Sequence, residues 1–183
     1  MGKTQLALEY AYQHSEEYSA IFWVYCASAS DVDIGFSNIM QAIVTQQAKV
    51  AWPNTRPDYQ IISNKLGLSD TLAQDGSISN DPSHRKDINR AVHRWLSLPE
   101  NNNWLLIFDN VDDIESFQIE DYFPRNSNGG RILITSRRPD FSRIVEAVEI
   151  DNLQPEEAIS LLLKLTSRST SSCGEQGASA LFL

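Results

Sequence analysis

The fold class of this chain is indicated by one stretch, WLLIFDNVDD, residues 104–113. Its first five residues are apolar and run without alternation into Asp109. Such a run is typical of a strand buried on both faces, as in a parallel α/β sheet. Open α/β sheets bind ligands beyond the carboxyl ends of their strands, where a carboxylate suits Mg²⁺, the hard cation of nucleotides. Asp109 is therefore a candidate ligand, although Asp also begins many ordinary turns.

The first residues of the chain contain a second motif. Gly2, Lys3 and Thr4 precede the helix-like run LALEYAY, and GKT before a helix is the second half of the phosphate loop G-x-x-x-x-G-K-[ST]. In that loop the glycine lets the backbone approach phosphate, the lysine reaches the β- and γ-phosphates, and the hydroxyl meets Mg²⁺. The tripeptide alone is a weak signal, since Lys3 could be an ordinary solvated lysine. With a later buried strand that ends in Asp109, it indicates a nucleotide site.

A third motif is GGRILITSRR, residues 129–138. The two glycines predict a turn, and the three apolar residues that follow the first arginine predict another short strand. That strand ends in Thr135, Ser136 and Arg137, polar groups able to touch a γ-phosphate. Arg137 and Arg138 could also be plain surface charges.

These motifs, in this order and spacing, resemble the NB-ARC nucleotide-binding domain of the STAND class of P-loop NTPases, with the closest likeness to fungal NOD-like receptor proteins. The matching segments are MGKTQLALEYAY at 1–12, NWLLIFDNVDD at 103–113, GGRILITSRR at 129–138 and VEIDNLQPEEAISLLLK at 148–164. The resemblance implies an α/β fold, the three-layer P-loop NTPase sandwich with a parallel sheet. It also implies ADP or ATP with Mg²⁺ as ligands. Implied partners are other NB-ARC chains or downstream repeat domains.

The resemblance also assigns roles to residues. Gly2, Lys3 and Thr4 would belong to the Walker A loop, with Lys3 as its lysine and Thr4 as its Mg²⁺ hydroxyl. Asp109 would be the Walker B aspartate, so that Thr4 and Asp109 hold the metal. Arg137 would be the sensor arginine that reads the γ-phosphate.

Asn110 departs from the pattern of the family. Many P-loop ATPases carry a second acid at this position to activate water, and an amide cannot accept a proton at neutral pH. Asp109 and Asn110 are the catalytic candidates, and we expect slow or absent hydrolysis. The nearby acids, Asp112 among them, are most simply interpreted as a solvated acidic face.

The printed sequence also lacks two parts that the family pattern would place before Gly2, the first glycine of the phosphate loop and the strand that feeds it. We therefore expect a partial NB-ARC domain over residues 1–165 that lacks its first strand. Residues 166–183 are expected to be disordered or to begin a missing helical segment. Half a phosphate loop predicts weakened binding, since each charge-assisted hydrogen bond is worth about 1.5–3 kcal/mol. Loss of a central strand predicts marginal stability.

Composition limits the remaining possibilities. The chain has 183 residues, 42% of them apolar, and a formal net charge of −9, which argues against nucleic acid or an anionic membrane as a partner. Two cysteines, Cys26 and Cys173, form neither a disulfide framework nor a metal-binding pattern. No apolar run reaches the ~18 residues of a membrane span. We expect a cytoplasmic, reducing location.

The hydrophobic periodicity predicts the elements that connect these motifs. The predicted helices span residues 2–18, 31–48, 58–66 and 82–98, with a short helix or turn near 113–119, a short helix at 140–146 and a last helix after Pro155. The predicted strands span residues 20–27, 104–108, 132–134 and 148–151. Loops are predicted at residues 69–82 and 167–177.

Three functions fit these observations. The first is a signalling switch that binds ADP or ATP. The second is a P-loop ATPase with slow hydrolysis, which Asn110 and the incomplete loop disfavour. The third is a remnant that binds no nucleotide and acts only by pairing with other proteins through open sheet edges.

Overall fold

The computed structural model describes residues 2–113, 117–124, 129–138 and 146–150. The chain divides into two compact units, and Gly2–Pro139 makes up nearly all of one of them. Every helix and strand below belongs to that unit. In the other unit, only residues 146–150 are described; they are exposed and form no regular structure.

The described elements alternate between helix and strand. The helices are α1 (Lys3–Gln13), α2 (Ala29–Ala51), α3 (Tyr59–Leu66) and α4 (Arg85–Leu96), and the strands are β1 (Ala20–Tyr25), β2 (Trp104–Asp109) and β3 (Arg131–Ile134). Short 3₁₀ turns lie at Ser15–Glu17, Pro82–His84, Pro99–Asn101 and Ile119–Tyr122.

The three strands form one parallel sheet in the order β1-β2-β3. In its register Tyr25 lies opposite Asp109, and Phe108 lies opposite Ile134. All six residues of the central strand β2 are buried, as its unbroken apolar run predicts. The predicted α/β class with a parallel sheet is confirmed. Because parallel strands end at the same edge, the polar residues after β2 and β3 are brought together there.

One face of the sheet is covered by α1. Ala7 and Ala11 of that helix are buried in one cluster with Leu105 and Ile107 of β2. Side chains alternate along a strand, so Asp109 points to this same face. The helix that begins with Lys3 is thus placed over the strand that ends in Asp109.

The opposite face is covered by α2 and α4. The ring of Phe36 in α2 stacks on Phe108 with centroids 6.4 Å apart. Next to it, a Cβ atom at Gly35 would lie 2.7 Å from Cγ1 of Val24, so the glycine permits α2 to approach β1 closely. Helices on both faces of a parallel sheet make the three layers of the predicted sandwich.

The end predicted for α3 at residue 66 is confirmed, whereas α2 begins at Ala29, two residues before the predicted start at residue 31, and both of these helix ends are capped. Ser28 accepts a hydrogen bond from the backbone N–H of Asp31 at the start of α2. Gly67 ends α3 in the left-handed conformation, with φ 72°.

Another prediction was wrong in extent. The first helix ends at Gln13 rather than residue 18, because His14 leaves helical geometry and a 3₁₀ turn follows. Leu6 and Ile34, which stand at helical spacing from buried apolar residues, are nevertheless 54% and 55% exposed. Periodicity predicted a wider apolar stripe than the sheet covers, since α1 buries only its alanines.

The strand predicted at residues 148–151 is not formed over residues 148–150, which are exposed and not regular. A strand requires backbone hydrogen bonds to a neighbour, and residues 148–150 belong to no strand ladder. The helix or turn predicted near 113–119 lies partly outside the described residues. Residues 113, 117 and 118 are not helical, and a 3₁₀ turn begins at Ile119. Predictions for residues 139–145 and 151–183 lie outside the described residues.

Candidate functional site

The start of α1 meets the end of β2. Thr4 Oγ1 donates a hydrogen bond of 2.8 Å to Asp109 Oδ1, across 105 positions of sequence. Thr4 is exposed in the first turn of its helix, whereas Asp109 is only 5% exposed. The structure therefore brings together the two side chains that the sequence predicts as metal ligands.

Asp109 is also held from the neighbouring strand. Thr135, directly after β3, donates from Oγ1 to Asp109 Oδ1 at 2.5 Å. The same hydroxyl oxygen accepts from the backbone N–H of Asn110 at 2.9 Å. Thr135 is 7% exposed, and hydrogen bonds to a charged group are stronger when they are buried. The carboxylate is thus held in position by hydroxyl groups from two different elements.

Thr135 is expected at a strand end from the sequence, but its contact with Asp109 is not. The sequence feature that could have predicted this contact is a polar residue at the end of the strand next to β2. The strand order was needed to interpret it, because only adjacent strands bring their carboxyl ends within hydrogen-bonding distance.

The predicted phosphate-binding residues form the first turn of α1. Gly2 is the N-cap residue in the left-handed conformation, with φ 97°, and it provides no side-chain cap. Gly2 is exposed and Lys3 is partly buried. Uncapped N–H groups and the positive end of the helix dipole favour an anion at such a start.

Asn110 follows β2 with φ 65°, the only non-glycine residue with a positive φ in the described part of the chain. Asparagine adopts this left-handed region more readily than most residues. The backbone turn therefore gives a structural reason for asparagine where a second acid was expected, and it is a reason that the sequence motif did not reveal.

Arg137 lies on Asp112. Its backbone N–H donates to Asp112 Oδ1 at 2.8 Å, and its Nε donates to Asp112 Oδ2 at 2.6 Å. Burial acts to raise the pKa of Asp112, but the hydrogen bonds and charge of Arg137 outweigh it and the net pKa is lowered. The interpretation of Asp112 as part of a solvated acidic face is wrong, because this side chain is 24% exposed and paired with Arg137.

Cys26 directly follows β1 and is hydrogen-bonded to the backbone of Asp109. Its backbone N–H donates to the carbonyl oxygen of Asp109 at 2.8 Å, and the residue is fully buried. Burial, followed by the negative charge of Asp109, raises the pKa of its thiol to about 12. A thiol that stays neutral is an inert packing group rather than a nucleophile.

The residues present fit a Mg²⁺ ion. A hydroxyl and a carboxylate oxygen are hard donors, and two adjacent ligands of an octahedral Mg²⁺ lie about 2.9 Å apart. The observed separation of Thr4 Oγ1 and Asp109 Oδ1 is 2.8 Å. No cluster of three or more His, Cys, Asp or Glu side chains suited to a metal occurs among the described residues, so a metal here would need oxygen atoms from its nucleotide or from water.

A parallel sheet whose central strand ends in a carboxylate, facing the hydroxyl of a helix that begins Gly-Lys-Thr, defines the class of P-loop NTPases. A family model described as the NB-ARC domain matches residues 1–172, and the chain belongs to this family. Membership implies a nucleotide-binding signalling module, and domains of this family generally bind ADP or ATP with Mg²⁺. No curated protein matches the chain in sequence.

Among the described residues, no helix is both long enough and apolar enough to cross a membrane.

Proposed function

We propose that this chain is the nucleotide-binding switch module of an NB-ARC protein, and that it binds ADP or ATP with Mg²⁺ at the start of α1. The observation that supports this most strongly is the 2.8 Å contact between Thr4 and Asp109. Two motifs that are far apart in sequence meet at this contact, and P-loop proteins use this pair of residue types to hold phosphate-bound Mg²⁺.

Each residue has a distinct role in the proposal. Lys3 and the first N–H groups of α1 bind the phosphates. Thr4 and Asp109 hold Mg²⁺, which supplies charge neutralisation for the phosphate oxygens when it is bound. Thr135 positions Asp109, since it donates to the same carboxylate oxygen as Thr4. Arg137 is proposed to contact the γ-phosphate and to couple nucleotide state to the conformation of the signalling protein.

Hydrolysis is proposed to be slow. The backbone of Asn110 is fixed by a hydrogen bond to Thr135, and its amide cannot act as a general base. A rate far below the ~1 s⁻¹ or more of typical enzymes suits a switch that must persist in one state. We further propose that the protein is related to fungal NOD-like receptor proteins. Its proposed partners are repeat domains or other NB-ARC chains.

The phosphate loop G-x-x-x-x-G-K-[ST] also includes positions before Gly2. The test of the function therefore uses residues 1–183 beside a version of the chain extended upstream by a strand and a complete loop. Each additional charge-assisted hydrogen bond to a phosphate is worth about 1.5–3 kcal/mol.

Calorimetric titration with Mg·ADP tests the function. The extended chain should bind, and Lys3→Ala should abolish that binding. Lys49→Ala is the matched control, because Lys49 lies in the last turn of α2, at the end of the helix remote from the carboxyl edge of the sheet, and should leave binding unchanged.

The outcomes separate the three candidate functions. If residues 1–183 alone bind Mg·ADP and Lys3→Ala abolishes that binding, the second half of the phosphate loop is sufficient to bind the nucleotide. Absence of binding by both lengths of chain would contradict the proposal and favour a remnant that acts through protein pairing. Hydrolysis of ATP at ~1 s⁻¹ or faster would instead favour an active ATPase.

A further inference from the structure

Two loops at the carboxyl edge of the sheet are joined by a continuous set of hydrogen bonds. The loop after β2 and the loop after β3 are linked near the strands by the backbone N–H of Val111, which donates to the carbonyl oxygen of Thr135 at 2.9 Å. Farther out, Ser136 Oγ donates to the carbonyl oxygen of Val111 at 2.6 Å. Asp112 and Arg137 complete the set at the outer end.

Asp112 holds Arg137 at two points. One carboxylate oxygen accepts from the backbone and the other accepts from the guanidinium. The backbone bond fixes where the carboxylate lies, and the second bond then fixes the direction of the guanidinium. The side chain of Arg137 is nevertheless 80% exposed, so its pairing is reversible at small cost.

We infer that Asp112 is a specificity-determining residue, because its carboxylate competes with the γ-phosphate of a nucleoside triphosphate for the guanidinium of Arg137. This inference rests on the proposed function, in which Arg137 contacts the γ-phosphate. A nucleoside diphosphate has no group at that position and leaves the Asp112–Arg137 pair intact. Only the triphosphate has to break the pair, so Asp112 lowers the affinity for ATP relative to ADP.

The expected size of the effect follows from the exposure of the pair. If the Asp112–Arg137 pair must open before the triphosphate binds, the apparent affinity is the intrinsic affinity multiplied by the fraction of molecules in which the pair is open. Exposed ion pairs correspond to about a 1.4- to 5-fold bias. Asp112 should therefore reduce the affinity for the triphosphate by that factor and leave the affinity for the diphosphate unchanged.

A double-mutant cycle tests the inference. Affinities for Mg·ADP and for the magnesium complex of a non-hydrolysable ATP analogue are measured by calorimetry for the wild type, Asp112→Asn, Arg137→Gln and the double variant, in the shortest version of the chain that binds Mg·ADP. Asparagine can keep the hydrogen bond to the backbone of Arg137 while it loses the charge that holds the guanidinium. Asp112→Asn should bind the analogue about 1.4- to 5-fold more tightly. This gain should vanish in the Arg137→Gln background.

Two controls exclude a general charge effect. Asp121→Asn removes the same charge from an exposed residue of the turn Ile119–Tyr122, and it should not reproduce the selective gain for the analogue. In the nucleotide-free protein, ¹⁵N NMR should show an arginine Nε–H that exchanges about 1.4- to 5-fold more slowly in the wild type than in Asp112→Asn.

Three results would overturn the role of Asp112. The first is an equal change in affinity for Mg·ADP and for the analogue in Asp112→Asn. The second is a gain in affinity for the analogue that persists in the Arg137→Gln background. In both cases, binding of Mg·ADP would still support the proposed function. The third is unchanged exchange of the arginine Nε–H in Asp112→Asn. Absence of Mg·ADP binding by every version would overturn both the proposed function and this inference.

Discussion

Two carboxylates lie close together in sequence, Asp109 at the end of β2 and Asp112 in the loop that follows, and their surroundings differ. Asp109 is 5% exposed and accepts hydrogen bonds from two hydroxyls, those of Thr4 and Thr135. Asp112 is 24% exposed in its side chain and pairs with Arg137, whose side chain is 80% exposed. Both carboxylates contact residues that follow β3, yet only the first contact lies away from water.

The difference separates a fixed part of the site from an adjustable one. Buried hydrogen bonds to a charge are strong and costly to break, which suits a metal ligand that must not move. An exposed ion pair is screened by water and salt, which suits an arginine that must exchange one anion for another. The following predictions compare the two parts, beginning with the largest effect.

Thr135→Val should lower the free energy of unfolding by about 2–4 kcal/mol, because it removes one charge-assisted hydrogen bond and leaves the N–H of Asn110 without its acceptor. Thr135→Ser is the control, since it keeps the hydroxyl, and it should cost less than about 1 kcal/mol. Denaturant unfolding measures both. Equal losses would show that the methyl group, rather than the hydroxyl, is what matters at this position.

Asp109→Asn should weaken Mg·ADP binding about ten- to a hundredfold, because the amide keeps the shape of the side chain and removes its charge. Binding of ADP in the presence of EDTA should be unaffected. The comparison is made by calorimetry in the version of the chain that binds. If Asp109→Asn weakened binding equally with and without Mg²⁺, Asp109 would not be a metal ligand.

Cys26 predicts a loss of stability in alkali. The pKa of its thiol is about 12 in the folded protein and about 8.5 in an unfolded chain. Above the unfolded value, the unfolded state loses its proton first, so the stability that the buried thiol contributes declines as the pH rises from about 9 towards 12. The slope is at most about 1.4 kcal/mol per pH unit.

The test compares the wild type with Cys26→Ala by chemical denaturation at pH 8 and pH 10. The difference in unfolding free energy between the two proteins should shrink as the pH rises. Tyr122, whose pKa burial raises to about 12, titrates in both proteins and cancels from the comparison. A difference that stays constant with pH would contradict a buried, neutral thiol.

Arg137→Gln should give the smallest change, a loss of about 0.2–1 kcal/mol in unfolding free energy that high salt reduces. The contribution of the pair is present at neutral pH. Since the pKa of Asp112 is lowered on folding, that contribution is lost as the pH falls below about 3.9 and through the folded value. A loss above about 2 kcal/mol in denaturant unfolding would show that the pair is structural rather than adjustable.

The sequence predicted the fixed part of the site better than the adjustable part. An unbroken apolar run ending in Asp109, and a helix opening with Gly-Lys-Thr, are local patterns with a known chemistry. Their 2.8 Å contact follows from the fold class. The pairing of Asp112 with Arg137 depends on which strands are neighbours and on how two loops turn, and neither is encoded in a local pattern.

The same limit applies to burial. The periodicity of α1 and α2 identified the helices, but it did not reveal how much of each helix the sheet covers. Leu6 and Ile34 are therefore exposed although they stand at positions typical of a core face. Asn110 is a further example, because its positive φ of 65° became visible only with the backbone.

A ¹⁵N–¹H correlation titration with Mg·ADP, made in the version of the chain that binds Mg·ADP, would locate the nucleotide site. If the nucleotide binds where Thr4 meets Asp109, the largest shifts fall on the amides of Lys3, Thr4 and Asn110. Asp109→Asn then reduces those shifts at equal nucleotide concentration. Shifts confined to α3 or to residues 69–82, with the amides at the start of α1 unchanged, would contradict a nucleotide site at this edge of the sheet.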